Sequence, residues 1–423
     1  MKQHRILILG GGFAGLNTAL ELTKRFRHVD GYEIVLIDRH PEHLYTPLLY
    51  EVASGCLEDN GRVCRGSLKE GATIGFESFI KMTGSRVRFH PGELQSIDTV
   101  KNLVRLKDQD DLSYDTLVIA LGSETNCYGI PGLEQYAYAM KSLREAYRIR
   151  ARLHDFLERC EQGKERCLDV VIGGAGATGT ELAAELAHFF GRLTRTGQLQ
   201  KKNWSLRLVE MGPQILNTFS PRVRERAMRR LKQLGVQILT DTKIEEVHDR
   251  TIRLSTKTGG PETTEADVVV WCGGIQPARM LKQTRLPLGP KGHVVVDGTF
   301  LVAGYDSVFA LGDCAQFQDP HTKEFVPPLA QAAIAQSKQL AENIWHHVHH
   351  KPLHAWHPPH TWRTILPLGG AYAVSDLGVT VMQGKLGYAL RRFVDFLYLY
   401  QLLPVRDAFR IWFEGVKVYL KND

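Results

Sequence analysis

Arg5-Ile6-Leu7-Ile8-Leu9-Gly10-Gly11-Gly12-Phe13-Ala14-Gly15, then a helical pattern (Leu16, Ala19, Leu20), the apolar run Ile34-Val35-Leu36-Ile37 and Asp38, is the stretch that decides the fold. The apolar run before Gly10 reads as a strand, and the 3.6-residue spacing after Gly15 as a helix. Gly10, Gly12 and Gly15 stand at G-x-G-x-x-G spacing. The first glycine permits a tight turn, the second lets backbone approach a pyrophosphate, and the third lets the helix pack on the strand. A diphosphate then meets a helix N-terminus, where unpaired N–H groups and the dipole favour anions. Asp38 ends the second strand, where an acid meets a ribose hydroxyl.

The same unit recurs. Leu168 to Ile172 leads into Gly174, Gly176 and Gly179 at the same spacing. A helical pattern follows (Leu182, Ala183, Leu186), then Leu206-Arg207-Leu208-Val209 and Glu210. One glycine-rich turn alone is a weak signal. Two, each between a strand and a helix and each closed by an acid, predict two dinucleotide sites. The duplication extends to Asp115-Thr116-Leu117-Val118-Ile119-Ala120-Leu121-Gly122 and Asp267-Val268-Val269-Val270-Trp271-Cys272-Gly273-Gly274, which share the pattern D-x-[LV]-V-[IV]-x-x-G. Both read as buried parallel strands ending in a glycine, where chain passes close to a cofactor. The repeat predicts two similar α/β domains.

The 423 residues allow two or three domains, and 43% hydrophobic with 23% charged residues is an ordinary globular balance. A net charge of +7 favours anionic contacts. No basic run interleaved with aromatics accompanies it, so nucleic acid is not an expected partner. The seven cysteines are scattered, odd in number and without C-x-x-C, which reads as reduced thiols in a cytosolic compartment and argues against a disulfide reductase. The first strand begins by Arg5, leaving no room for a signal peptide. No run of about 18 uncharged apolar residues supports a spanning helix.

The C-terminus is unusual. From Tyr388 to Leu420, Phe393, Phe396, Leu397, Tyr400, Phe409, Trp412, Phe413 and Tyr419 crowd together with Arg391, Arg392, Arg406, Arg410 and Lys417, and Pro404 divides the stretch into two helices. An apolar face with interfacial aromatics and flanking cations suits a helix lying in a bilayer surface. Packing on the protein's own core, or on a second copy in a homodimer, is the alternative. Just before this region, seven histidines fall between His346 and His360. Their spacing matches no closed metal site and nearby Cys or carboxylate ligands are lacking, so no metal is expected and a solvated linker is the reading.

A third signal is Asp306-Ser307-Val308-Phe309-Ala310-Leu311-Gly312-Asp313, a short strand delivering Gly312 and Asp313 to its C-terminal end. With the first fingerprint it looks like the G-D motif of flavoproteins. The chain as a whole resembles the two-dinucleotide-binding-domain flavoproteins and, within them, the type II NADH:quinone oxidoreductases. The more specific marks are His43-Leu44-Tyr45-Thr46-Pro47-Leu48-Leu49-Tyr50 and Pro327-Pro328-Leu329-Ala330-Gln331-Ala332-Ala333. Ile130-Pro131-Gly132 and the run Gly173 to Leu186 add to them.

The resemblance implies FAD on the first fingerprint, held by Gly10, Gly12, Phe13, Ala14, Gly15, Asp38, Arg39, Thr46, Pro47, Leu48, Ala120, Gly122, Gly312, Asp313, Ala330 and Gln331. It implies NADH on the second, held by Gly174, Gly176, Gly179, Glu181, Glu210 and Gly274. A carboxylate at Glu210 repels a 2′-phosphate, favouring NADH over NADPH. Glu181 and Gln331 are the catalytic candidates: Glu181 beside the flavin and nicotinamide rings, Gln331 at the quinone. Against the family pattern A-Q-x-A-x-Q, Ala335 takes the second glutamine's place and Gln336 comes one residue late. A one-residue shift turns a helical side chain by about 100°, so Gln336 is not expected to face the flavin.

The expected architecture is an α/β fold with two Rossmann-like domains and a C-terminal amphipathic membrane-associating segment. A discontinuous FAD domain (1–125 and 295–345) is interrupted by an NADH domain (126–294), and residues 346–423 form a linker and the membrane-associating region. The expected activity is NADH oxidation through FAD to a membrane quinone without proton pumping, by a peripheral protein on the cytoplasmic face of the inner membrane. The alternatives are a soluble FAD-dependent reductase of another acceptor, a sulfide:quinone oxidoreductase and a nucleotide-sensing binding protein. Sulfide:quinone chemistry needs a late cysteine beside the flavin, whereas the last cysteine is Cys314.

Overall fold

Ile6 to Leu9 are at most 1% exposed, because the strand they form is covered on both faces. Ile6 and Ile8 face a layer containing Leu16, Leu340 and Ile344, while Leu7 and Leu9 face Val104, Leu281 and Val294. Alternation along the strand sends successive side chains to opposite layers. The computed structural model describes residues 3–54, 72–161, 168–200 and 203–422. Cys56, Cys64 and Cys167 lie outside these, and so do the side chains of Lys417, Tyr419 and Leu420.

The first sheet is parallel and runs Val308–Ala310, Thr116–Ile119, His4–Leu9, Tyr32–Asp38, Val87–Pro91. The second is also parallel and runs Tyr138–Ala139, Val268–Trp271, Leu168–Gly173, Trp204–Val209, Gln237–Leu239. In each, the fingerprint strand lies between the strand that ends in the acid and the strand that begins with the repeated aspartate. Those aspartates do the same work twice. Asp115 accepts from the Arg5 N–H at 2.8 Å and Asp267 from the Asp169 N–H at 3.0 Å, fixing the register at the strand's start. The two sheets, each with its fingerprint helix (Phe13–Arg25 and Ala177–Arg195), make the expected α/β fold of two Rossmann-like units.

The C-terminal part differs from a linker. Helix Ala330–Val348 includes His346 and His347. Thr364–Pro367, Ala373–Asp376 and Val381–Gly384 then form a three-stranded antiparallel sheet. Helices Lys385–Leu402 and Val405–Asn422 follow, broken at Pro404 as expected from the sequence. Among the described residues no helix is long and apolar enough to cross a membrane.

The first terminal helix carries its charges inward. Tyr388, Arg391, Arg392, Asp395, Tyr398, Leu399 and Leu402 are buried at helical spacing. Leu386, Phe393, Leu397 and Tyr400 are exposed, as are Phe409 and Phe413 of the second helix. This corrects the sequence reading of Arg391 and Arg392 as outward cations. Both lie inside an ion network, whereas Arg406 and Arg410 are exposed.

Candidate active site

Each fingerprint turn is shaped by contacts that leave no room for a side chain. A Cβ on Gly15 would lie 1.9 Å from the Gly10 carbonyl oxygen, and one on Gly179 1.9 Å from that of Gly174. Gly10 and Gly174 both have φ in the left-handed region, +103° and +93°, which glycine alone adopts cheaply. Gly12 and Gly176 face open space instead. A ligand can therefore come up to the backbone at the start of each helix, the cradle a pyrophosphate needs.

The acids brace the same turns. Asp38 accepts from the Gly11 N–H at 2.7 Å and the His40 N–H at 2.8 Å. Glu210 accepts from the Ala175 and Gly212 N–H groups, both at 2.8 Å. The two nucleotide sites thus share one construction, and their residues fit two dinucleotides.

The first site opens into a cleft of about 440 Å³ that the second domain also borders. Its lining includes Gly10, Gly12, Phe13, Ala14, Asp38, Thr46, Ala120, Gly122, Gly312, Asp313 and Ala330 from the first set, and Gly274 from the second. Thr178, Trp271 and Cys272 bring the second domain to the same space. Arg39 lines an adjoining cavity, with Lys141 and Arg144. Gly15, Gly174 and Gly179 shape the turns from beneath. Pro47 is turned to the C-terminal helix, its carbonyl accepting from Arg391 at 3.1 Å, and Leu48 is buried beside it.

Sequence reasoning missed Ser123 and Lys141. Ser123 Oγ donates to Asp313 at 2.6 Å and Lys141 Nζ donates to that hydroxyl at 2.9 Å, so the G-D carboxylate is held from below by a lysine. The two glutamines stand in different settings. Gln331 is exposed and donates to the Arg363 carbonyl at 2.9 Å, outside the cleft lining. Gln336 is 4% exposed and accepts from the Gly312 N–H at 2.8 Å. It shares the buried face of its helix with Ala332, Ala333 and Leu340. The pair Ala332-Ala333, three and four residues ahead, was the signal for that face.

Glu181 lies one helical turn beyond Thr178, partly exposed. Burial pushes its carboxyl up to about 8; the Arg391 guanidinium opposes the rise and the Glu51 and Asp395 carboxylates add to it. Arg391 bonds Asp395 at 3.1 Å, Arg392 bonds Glu51 at 3.0 Å, and Tyr45 donates to Asp395 at 2.7 Å. His43 is fully buried and joins this network to the fingerprint. Its Nδ1 lies 2.9 Å from the Gly11 carbonyl oxygen and its Nε2 2.9 Å from the Tyr398 hydroxyl. A carbonyl only accepts, so Nδ1 carries the proton and Nε2 accepts from Tyr398. Burial holds the imidazole down at about 4, hence neutral at ordinary pH. The motif from His43 to Leu48 therefore attaches the C-terminal helix to the first glycine turn.

Burial pushes the Cys272 thiol up to about 12 and the Cys314 thiol up to about 11. Neither offers a thiolate near neutral pH.

A model of the pyridine nucleotide-disulphide oxidoreductase family matches residues 4–337. The chain belongs to that family. Within it, the chain is 31% identical over 410 residues to demethylphylloquinone reductase NdbB of Synechocystis sp., covering 94% of this chain and 92% of that one. It is 24% identical over 416 residues to the type II NADH:quinone oxidoreductase of Staphylococcus saprophyticus, covering 96% and 98% of the two chains. The structure of NDH2 from Plasmodium falciparum in complex with NADH superposes with a TM-score of 0.82 over 98% of each chain at 20% identity, a likeness of fold. The resemblance read from the motifs is borne out: the family's relatives of this chain include type II NADH:quinone oxidoreductases.

Proposed function

We propose that this protein is a flavin-dependent NADH:quinone oxidoreductase of the non-pumping type. The observation that carries the reading is the single cleft that both domains line, with Gly10 to Ala14 on one side and Thr178, Trp271, Cys272 and Gly274 on the other. When bound there, FAD supplies a two-electron centre that accepts hydride from NADH and reduces a quinone.

The residues do the positioning. The turn at Gly10 to Gly12 and the helix behind it would hold the diphosphate of FAD, with Asp38 available to the ribose and Asp313 to the ribityl chain. Gly174, Gly176 and Gly179 do the same for NADH, with Glu210 at its ribose. Bringing two reactants into one oriented arrangement is worth up to about 7–11 kcal/mol of barrier. Glu181, neutral near pH 7, holds a proton beside the rings for the quinone as it is reduced. Gln331 at the helix start is assigned to the quinone side, and Gln336 holds the Gly312 turn. The Synechocystis relative is named for a demethylphylloquinone, which favours a naphthoquinone-type acceptor here.

The inverted terminal helix supports attachment to a membrane. Phe393, Leu397, Tyr400, Phe409 and Phe413 are too exposed to belong to the protein's own core, and Arg406 and Arg410 beside them attract anionic headgroups. The protein then sits as a peripheral enzyme on the cytoplasmic face. A homodimer covering the same face is the competing arrangement, and sedimentation in detergent-free buffer separates the two.

The experiment is to mix purified protein with NADH and follow the yellow flavin absorption. Bleaching by NADH and recovery on adding a soluble naphthoquinone are expected; a chromophore that NADH leaves unchanged ends the proposal.

A further inference from the structure

The histidine-rich segment is not a uniform solvated tract. His346 stands on the last turn of helix Ala330–Val348 and His354 in the loop that follows, and Glu342 lies one turn before His346. One ligand atom from each of the three lies within 4.8 Å of the other two. The carboxylate that the sequence reading found lacking is therefore present, four residues ahead of the first histidine. We propose that Glu342, His346 and His354 form a binding site for one divalent transition-metal ion, of which Zn2+ is the type.

The surroundings of the three side chains are those of a prepared site. The His346 Nδ1 is 2.7 Å from the Pro352 carbonyl oxygen. Since that oxygen only accepts, the proton is on Nδ1 and the lone pair of the neutral ring is on Nε2. Donation of the second ring N–H to a backbone carbonyl is the usual way a metal-ligating histidine is oriented. His354 is held by its backbone. Asn343, wholly buried, donates to the His354 carbonyl at 2.8 Å and accepts from the His354 N–H at 2.9 Å. Glu342 is divided between two partners. Its Oε2 accepts from Arg25 at 2.9 Å, and its Oε1 faces His354 Nδ1 at 3.6 Å, free to turn to a cation.

Tetrahedral zinc with bonds of about 2.1 Å sets its ligand atoms roughly 3.4 Å apart. The site must close by little more than an ångström, and the His354 side chain, 56% exposed, is free to rotate that far. Two imidazoles and one carboxylate, with no thiolate, select Zn2+, Ni2+ or Cu2+ over Ca2+ or Mg2+. With three protein ligands, a remaining coordination position falls to water. The ion links the end of the helix, the loop after it and, through Arg25, the first fingerprint helix. Among the described residues no other histidine brings a ligand atom into this group, and His347 packs edge-on against Phe309.

The test uses the full-length protein without a polyhistidine tag, stripped with a chelator. Zn2+ is titrated in competition with a chromophoric chelator, and each protein's thermal midpoint is measured with and without Zn2+. The wild type takes up one equivalent and its midpoint rises. H346A and H354A each weaken binding by at least about tenfold, the loss that even an outer partner's removal brings, and their midpoints no longer respond to Zn2+. E342Q behaves likewise. A double variant H357A/H360A binds as the wild type does. Absence of a stoichiometric site, survival of binding in both H346A and H354A, or equal loss in H357A/H360A overturns the proposal. Comparing each variant with its own metal-free midpoint separates lost binding from lost folding.

Discussion

Replacing Glu181 by glutamine tests the site where its chemistry is most exposed. The carboxyl sits near 8 because burial penalises its charge and the Glu51 and Asp395 carboxylates add to that, with Arg391 opposing. At pH 7 about nine-tenths of the molecules carry the proton, and at pH 9 about one-tenth do, because each pH unit beyond the midpoint changes the ratio tenfold. If this acid supplies the proton to the quinone as it is reduced, quinone-dependent turnover of the wild type falls roughly tenfold from pH 7 to pH 9. E181Q keeps the shape and the neutral charge but cannot release a proton. Its turnover drops by about 10²-fold or more at pH 7, the usual worth of general acid catalysis, and its profile loses the step near 8. Stopped-flow reduction of the flavin by NADH, which needs no proton from Glu181, stays within a few-fold of wild type. Stability moves in the opposite sense. The folded protein holds this proton when the unfolded chain has lost it, so folding is penalised increasingly as pH rises from about 4.5 to 8. E181Q therefore unfolds at a higher temperature than wild type at pH 9 and at nearly the same temperature at pH 4.5. A step near 8 that persists in E181Q, or full turnover at pH 7, refutes the assignment.

Further outcomes follow from the same geometry. G179A sets a Cβ 1.9 Å from the Gly174 oxygen and raises the KM for NADH by at least about tenfold with flavin content unchanged, whereas G15A lowers flavin content; absorbance and steady-state kinetics read both. R392M leaves the Glu51 and Asp395 carboxylates short of a buried partner and costs about 3–5 kcal/mol, read as a lower urea midpoint. The triple variant F393S/L397S/F409S removes exposed apolar side chains worth about 1–2 kcal/mol each at a lipid surface. It reduces flotation with anionic vesicles more than tenfold while NADH oxidation by ferricyanide is retained.

The two nucleotide sites were legible because their determinants are local. Gly10, Gly12 and Gly15, and their counterparts at Gly174, Gly176 and Gly179, act on residues within one turn, and Asp38 and Glu210 lie one strand away. The repeated aspartates were visible as a pattern, but their work, receiving an N–H from the start of the neighbouring strand, requires the sheet register. The terminal helix was recognised as amphipathic and its break at Pro404 read correctly, yet its orientation was inverted. Its arginines, Arg391 and Arg392, stand between apolar residues in the sequence, and only contacts with Pro47 and Glu51, more than three hundred residues away, show that both are buried. The bond from the Gly312 N–H to Gln336 was not legible either, because a shift reckoned from the place of Ala335 says which way the amide turns and not what it meets there. The Glu342 carboxylate escaped notice because the histidine run was read as open chain, whereas a helix brings i and i+4 together.

The hydrogen-bonded relay from Gly11 through His43 to Tyr398 has a practical consequence for anyone wishing to trim the molecule. Cutting the chain after Gly384 would not release a water-friendly catalytic core. It would strip His43 of its hydroxyl donor, Tyr45 of its acceptor and Glu51 of its guanidinium, and so loosen the loop beneath the pyrophosphate. Amphiphile and catalyst are one inseparable piece, and better solubility has to be sought by recolouring the outer aromatic residues one at a time.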